Sequence, residues 1–95
     1  MEENKEEIIK VKIHIVEKIK GTKGAYETNK SIKIKKTDFF NFAFLCSMNK
    51  NVKFSYKYVE TGKYGHAYFK NYYSCPEAVV LEKSLENMEV KDENV

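Results

Sequence analysis

The chain predicts a two-layer α+β sandwich: a four-stranded antiparallel sheet with two helices on one face, in the order ββαββα. Three observations carry this. Four stretches alternate apolar and polar residues with a period of two, and each pair of them is joined by a Gly-bearing turn. The segment Thr37 to Asn49, Thr-Asp-Phe-Phe-Asn-Phe-Ala-Phe-Leu-Cys-Ser-Met-Asn, is apolar nearly all round when wound as a helix, and such a helix is normally buried. Ser74-Cys75-Pro76-Glu77 has the form of a capping box, with Ser at the cap, Pro in the first turn and Glu three residues on.

Taken in order, residues 1–7 form an acidic stretch expected to be flexible, and the single domain is expected at 8–88. From Ile8 to Lys20, Ile9, Val11, Ile13 and Ile15 alternate with Lys10, Lys12 and His14, the pattern of a strand with one buried face. Gly21-Thr22-Lys23-Gly24 marks the turn into a second strand, Ala25 to Lys36, with Ile32 and Ile34 inward. Thr37 is placed to cap the Phe-rich helix, and Asp38 suits its positive end. A third strand, Val52 to Glu60, puts Val52, Phe54, Tyr56 and Tyr58 on one face. After the turn Thr61-Gly62-Lys63 comes a fourth, Tyr64 to Tyr73, with Gly65, Ala67, Phe69 and Tyr73 opposed to Tyr64, His66, Tyr68, Lys70 and Tyr72. The second helix runs from the capping box to about Met88, and residues 89–95 read as a flexible acidic tail or one short extra strand. A shift of 41 residues aligns Val11-Lys12 with Val52-Lys53, Gly21 with Gly62 and Gly24 with Gly65. A duplicated ββα unit is one explanation; the need of hairpin turns for Gly is the other.

Composition bounds the function. Ninety-five residues make one domain, and 42% hydrophobic with 14% aromatic content excludes a disordered chain. All seventeen basic residues are Lys; there is no Arg. The net charge of +3 is unevenly laid out: −3 over residues 1–7, +10 over 8–73 and −4 over 74–95. A basic body between acidic ends suits a polyanionic partner. Cys46 and Cys75 make no disulfide framework, no secretory leader is legible, and no apolar run reaches membrane length. An intracellular, reducing, cytoplasmic protein with no membrane contact is expected.

With helices on one sheet face, the other carries Lys10, Lys12, His14, Lys33 and Lys35 from the first hairpin. The second hairpin supplies the expected binding residues: Lys53, Lys57, Lys63, Tyr64, His66, Tyr68, Lys70 and Tyr72. Ammonium groups attract phosphates and ring faces stack on unpaired bases, so this interleaving suits single-stranded nucleic acid. Tyr also suits protein interfaces and half-buried strands, which explains the same residues without a nucleic acid. Lys63-Tyr64-Gly65-His66-Ala67-Tyr68-Phe69, followed by a helix with Glu77-Ala78, resembles the third strand and second helix of RNA recognition motifs over about a quarter of the chain. Tyr64 precedes Gly65 against the family's order, and Ile32-Lys33-Ile34 stands where its first-strand aromatic belongs. The chain is not assigned to that family.

Catalysis is not expected. His14, His66, Cys46 and Cys75 lack metal-ligand spacing, and no phosphate loop or carboxylate pair is present, so no catalytic residue, metal or cofactor is assigned. Cys75 beside His66 could be imagined as an activated nucleophile, but the capping motif accounts for its segment. The expected function is non-enzymatic and stoichiometric: binding to a protein or nucleoprotein partner. Small Lys/Glu/Tyr-rich chains of this kind resemble phage and viral accessory proteins, among them anti-CRISPR-type inhibitors of machines that handle nucleic acid. The alternative is direct binding of single-stranded RNA or DNA by the Lys/Tyr face. Self-association to a homodimer, through an edge strand or the Tyr face, stays open.

Overall fold

Period-two alternation of β-branched residues builds two hairpins in the computed structural model, which describes residues 7–50, 52–73 and 75–90. Strands β1 (Ile8–Lys18) and β2 (Ala25–Lys35) pair along their whole length; β3 (Lys53–Val59) and β4 (Tyr64–Tyr72) form the second hairpin. Helix α1 (Lys36–Ser47) joins the hairpins and α2 (Pro76–Met88) follows β4, which gives the expected order ββαββα. The sheet order is β2-β1-β4-β3. Both hairpins are antiparallel, but the central pair β1/β4 is parallel, so the sheet is mixed where antiparallel pairing throughout was expected. Alternation in sequence reports only which face of a strand is buried, not the direction of its neighbour. Direction follows from the crossover: α1 carries the chain from one sheet edge to the other, and β4 then returns beside β1.

This order also rules on the repeat. Superposing β1-β2-α1 on β3-β4-α2 keeps left-to-right strand order but reverses strand direction, and a rotation that does both exchanges the faces of the sheet. The helices would then lie on opposite faces. They lie on the same one: Phe42 of α1 and Leu81 and Leu85 of α2 line one slot with Ile13 and Phe69. The two units are therefore not related by symmetry; of the matched glycines, Gly21 and Gly62 stand in turns, whereas Gly65 lies within β4 under the Phe39 ring.

The core forms between the layers. Ile9, Val11 and Ile13 of β1, Ile32 and Ile34 of β2, and Ala67 and Phe69 of β4 are buried beneath Phe39, Phe42 and Cys46 of α1 and Ala78, Leu81 and Leu85 of α2. Phe39 meets Tyr56 edge-on at 5.7 Å and Phe42 meets Phe54 and Phe69 at 6.3 Å, so α1 lies over β3 and β4. A Cβ on Gly65 would stand 2.8 Å from the Phe39 ring tip, so the absence of a side chain at Gly65 is what admits that ring. Burial pushes the Cys46 thiol up to about 12, as befits a small core residue rather than a nucleophile.

Helix α1 is not the fully enclosed core helix that its composition predicts. Phe39, Phe42, Ala43 and Cys46 are buried, whereas Phe44 and Met48 are 63% and 64% exposed and Phe40 and Leu45 also face outward. One sheet and one neighbouring helix can cover only part of its circumference. The Thr37 cap is corrected as well. The helix starts at Lys36 with Lys35 at the cap position and no side-chain cap bond from it; the Lys36 N–H donates to the Glu7 carbonyl at 2.8 Å. Helix α2 begins with Pro76 as its first residue, its cap position being Cys75; Ser74, the expected cap, lies outside the described residues.

Both ends of the domain are tied to the sheet where described. Glu89 bridges to Ile34, and the Val90 N–H donates to the Lys33 carbonyl at 2.8 Å, adding a short strand-like contact on the β2 edge. Residues 1–6 and 91–95, which hold the rest of the expected flexible ends, lie outside the described residues. No helix among the described residues is long and apolar enough to cross a membrane.

Candidate functional site

Among the described residues no element covers the face of the sheet away from the helices, and the strand register fixes what stands on it. Residues directly opposite on neighbouring strands point the same way, so each row across the sheet can be read off. One row is Lys33, Lys10, Tyr64, Val59; the next is Ser31, Lys12, His66, Lys57; the third is Asn29, His14, Tyr68, Ser55. Lys53 stands opposite Lys70 at the end of the second hairpin, and Lys35 opposite Ile8 at the other end of the first. A central column of rings on β4 is thus flanked by Lys from β1 on one side and β3 on the other. Among the described residues the first carboxylate on this face is Glu27, beyond the ring column on the hairpin β1/β2.

The rings support one another. His14 lies 5.1 Å from Tyr68 and 5.9 Å from His66, His66 lies 5.9 Å from Tyr68, and all three planes agree within 10°. Tyr64 meets His66 edge-on at 5.3 Å. His14 Nδ1 lies 2.5 Å from Asn29 Oδ1; an amide oxygen only accepts, so the ring nitrogen carries the proton and the imidazole is held in place. His66 Nδ1 is buried without a hydrogen-bond partner. Burial first, then the neighbouring His14, Lys12 and Lys57, lowers the His66 pKa and favours the neutral ring. An anion laid across this row would offset the charge repulsion from Lys12 and Lys57, though not the burial.

Six of the eight expected binding residues share the open face: Lys53, Lys57, Tyr64, His66, Tyr68 and Lys70. Two do not take part as expected. Tyr72 is corrected from the open face to the core, where it is 3% exposed and its hydroxyl donates to Glu82 Oε2 at 2.5 Å. The reason is a bulge: Ile15 pairs with Phe69 but Glu17 with Tyr72, so β4 advances three residues while β1 advances two and its facing switches. Lys63 sits in the turn at positive φ and pairs with Glu7, in a chain that runs on to Lys36, 3.5 Å from Glu7 and 3.0 Å from Glu60. The hydrogen bond from Lys63 is the main cause that lowers the Glu7 pKa. Lys63 is therefore a tether of the domain end rather than a free cation of the face.

Lys10, Lys12 and His14 stand beside the ring column itself, where the site was expected to be centred on the second hairpin. Their alternation places them on the open face, but nothing in the sequence sets β1 directly beside β4. The surface is also bipolar. Glu77, Glu82, Glu86 and Glu89 lie exposed along and just beyond α2, with Lys83 among them, on the opposite side of the sheet from the lysines of the ring-bearing face.

Chemically the face offers ammonium groups and ring surfaces, with no nucleophile–base pair on it and, among the described residues, no cluster of potential metal ligands. Lys presents a point charge rather than the planar fork that reads guanine edges, so the face suits backbone phosphate and stacked base better than duplex sequence. The comparisons with known proteins add no relative: no family model matches the chain, and no curated protein or solved structure is significantly similar to it.

Proposed function

We propose that this chain is a non-enzymatic binding protein that acts stoichiometrically, with the open sheet face as its working surface and a single-stranded nucleic acid, free or presented by a nucleoprotein, as its partner. The observation that carries this reading is the ring column Tyr64-His66-Tyr68 with His14, bordered on both sides by lysines and, among the described residues, by no carboxylate on this face until Glu27. Phosphates find cations on either side of a stacking surface, the arrangement that single strands need. A cytoplasmic setting fits the two free thiols.

The test is fluorescence anisotropy with labelled single-stranded RNA, single-stranded DNA and duplex DNA at low and near-physiological salt. Micromolar binding to single strands is expected, with log affinity falling against log salt by roughly 0.7 per phosphate neutralised. Lys12→Ala and Lys57→Ala should each flatten that slope by one such increment, and Tyr68→Ala should weaken binding by about 1–3 kcal/mol. Absence of binding at low salt would discard the reading.

A second reading is favoured by the acidic side of the molecule. A protein partner with a basic groove, such as a nucleic-acid-handling machine blocked by an anti-CRISPR-type inhibitor, would meet Glu77, Glu86 and Glu89. Charge reversal at Glu86 and Glu89 would then weaken capture more than loss of the sheet lysines.

A further inference from the structure

The two edges of the sheet are not equivalent. On β2, Lys33 and Ile34 are engaged by Val90 and Glu89, while among the described residues β3 pairs only with β4 and leaves its other side open. An open edge is a template for another strand. Beside it lies the exposed flank of α1. Phe40 packs 6.3 Å from Tyr56 and 5.4 Å from Tyr58, so the helix stripe and the strand edge form one continuous apolar surface that also takes in Phe44.

We infer that this surface binds a second copy of the chain, β3 against β3 about a twofold axis through Tyr56, to give a continuous eight-stranded sheet. The register follows from the residues. Opposite residues of an antiparallel pair point to the same face, so helices on one common face require pairs whose numbers sum to an even value. A sum of 112 is the register in which all seven residues of β3 find partners. It sets Tyr56 on its own copy, Phe54 on Tyr58, Lys57 on Ser55 and Lys53 on Val59. Sliding to 110 would oppose Lys53 to Lys57, and 114 would oppose Lys57 to itself; both stack like charges. The charge pattern of the strand thus selects the one register that also maximises pairing.

The helix layer agrees. With strands about 4.8 Å apart and α1 lying over β3 and β4, the two α1 axes would come to roughly 10 Å, an ordinary helix-packing separation. Phe40 and Phe44 of each copy then face across the axis. The lysines remain on the opposite face, so the inference stands whatever binds there, and a dimer would present two such faces side by side.

Sedimentation equilibrium over a concentration series tests the association, and cysteine pairing tests its geometry. In a Cys75→Ser background, with Cys46 buried, Tyr56→Cys should oxidise to a covalent dimer, because opposite Cα atoms about 4.5–5.5 Å apart are within disulfide reach. Ser55→Cys should not, since its own copy lies on the diagonal at roughly 7–8 Å. Phe44→Lys should keep the wild-type circular dichroism spectrum and remain a monomer where wild type has doubled in mass. A wild-type monomer at every concentration overturns the proposal. So does a dimer that ignores Phe44→Lys, or one in which Ser55→Cys cross-links and Tyr56→Cys does not.

Discussion

Tyr72 shows how a single inserted residue redirects a side chain from surface to core. Alternation through Phe69 is legible, and continued without a break it puts Tyr72 on the open face; the bulge that turns it inward leaves no mark in the local sequence. The consequence is energetic. Burial, then the hydrogen bond to Glu82, raises the Tyr72 pKa above its ordinary value. The folded state therefore keeps the phenol protonated where the unfolded chain begins to ionise, near 10. Stability from this group is fully present below that pH and is lost as pH rises beyond it. Tyr72→Phe should cost about 1 kcal/mol at pH 8, and should lose stability less steeply than wild type between roughly pH 9.5 and 11. Urea unfolding of the pair at both pH values checks this; parallel losses would contradict it. Gly65, by contrast, could be read only as a turn-like glycine in a strand, since its reason, the Phe39 ring above it, is a tertiary contact.

At the scale of elements, helix and strand limits were legible to within one or two residues because periodicity and turn glycines state them directly. What periodicity could not state was how far α1 is covered. A helix apolar all round has no sequence signal for which third of it meets the sheet. The structure makes Phe42 a core residue and leaves Met48 in solvent. Phe42→Ala should cost about 3–5 kcal/mol, whereas Met48→Lys should stay within about 0.5 kcal/mol of wild type. Thermal denaturation at low protein concentration compares them. Equal losses would mean that the helix is enclosed after all.

For the whole molecule, charge separation along the sequence becomes charge separation across the fold. Lys10, Lys12, Lys33, Lys35, Lys53, Lys57 and Lys70 of the hairpin strands stand on one sheet face, while Lys30 lines the slot on the helix side, and Glu77, Glu82, Glu86 and Glu89 lie along and just beyond α2. Most of the face was legible, since it needs only alternation and a helical layer on the other side. The adjacency of β1 and β4 was not, because strand order is decided by the crossover of α1, and with it came Lys12 and His14 beside the ring column. The measurement that tests this account most directly is a ¹⁵N-resolved NMR titration with a short single-stranded oligonucleotide at low salt. Shifts concentrated on Lys12, His14, Lys57, His66 and Tyr68, with α2 unmoved, are the predicted result. Shifts centred on α2 or on α1, or none at saturating oligonucleotide, would contradict a working surface on the open sheet.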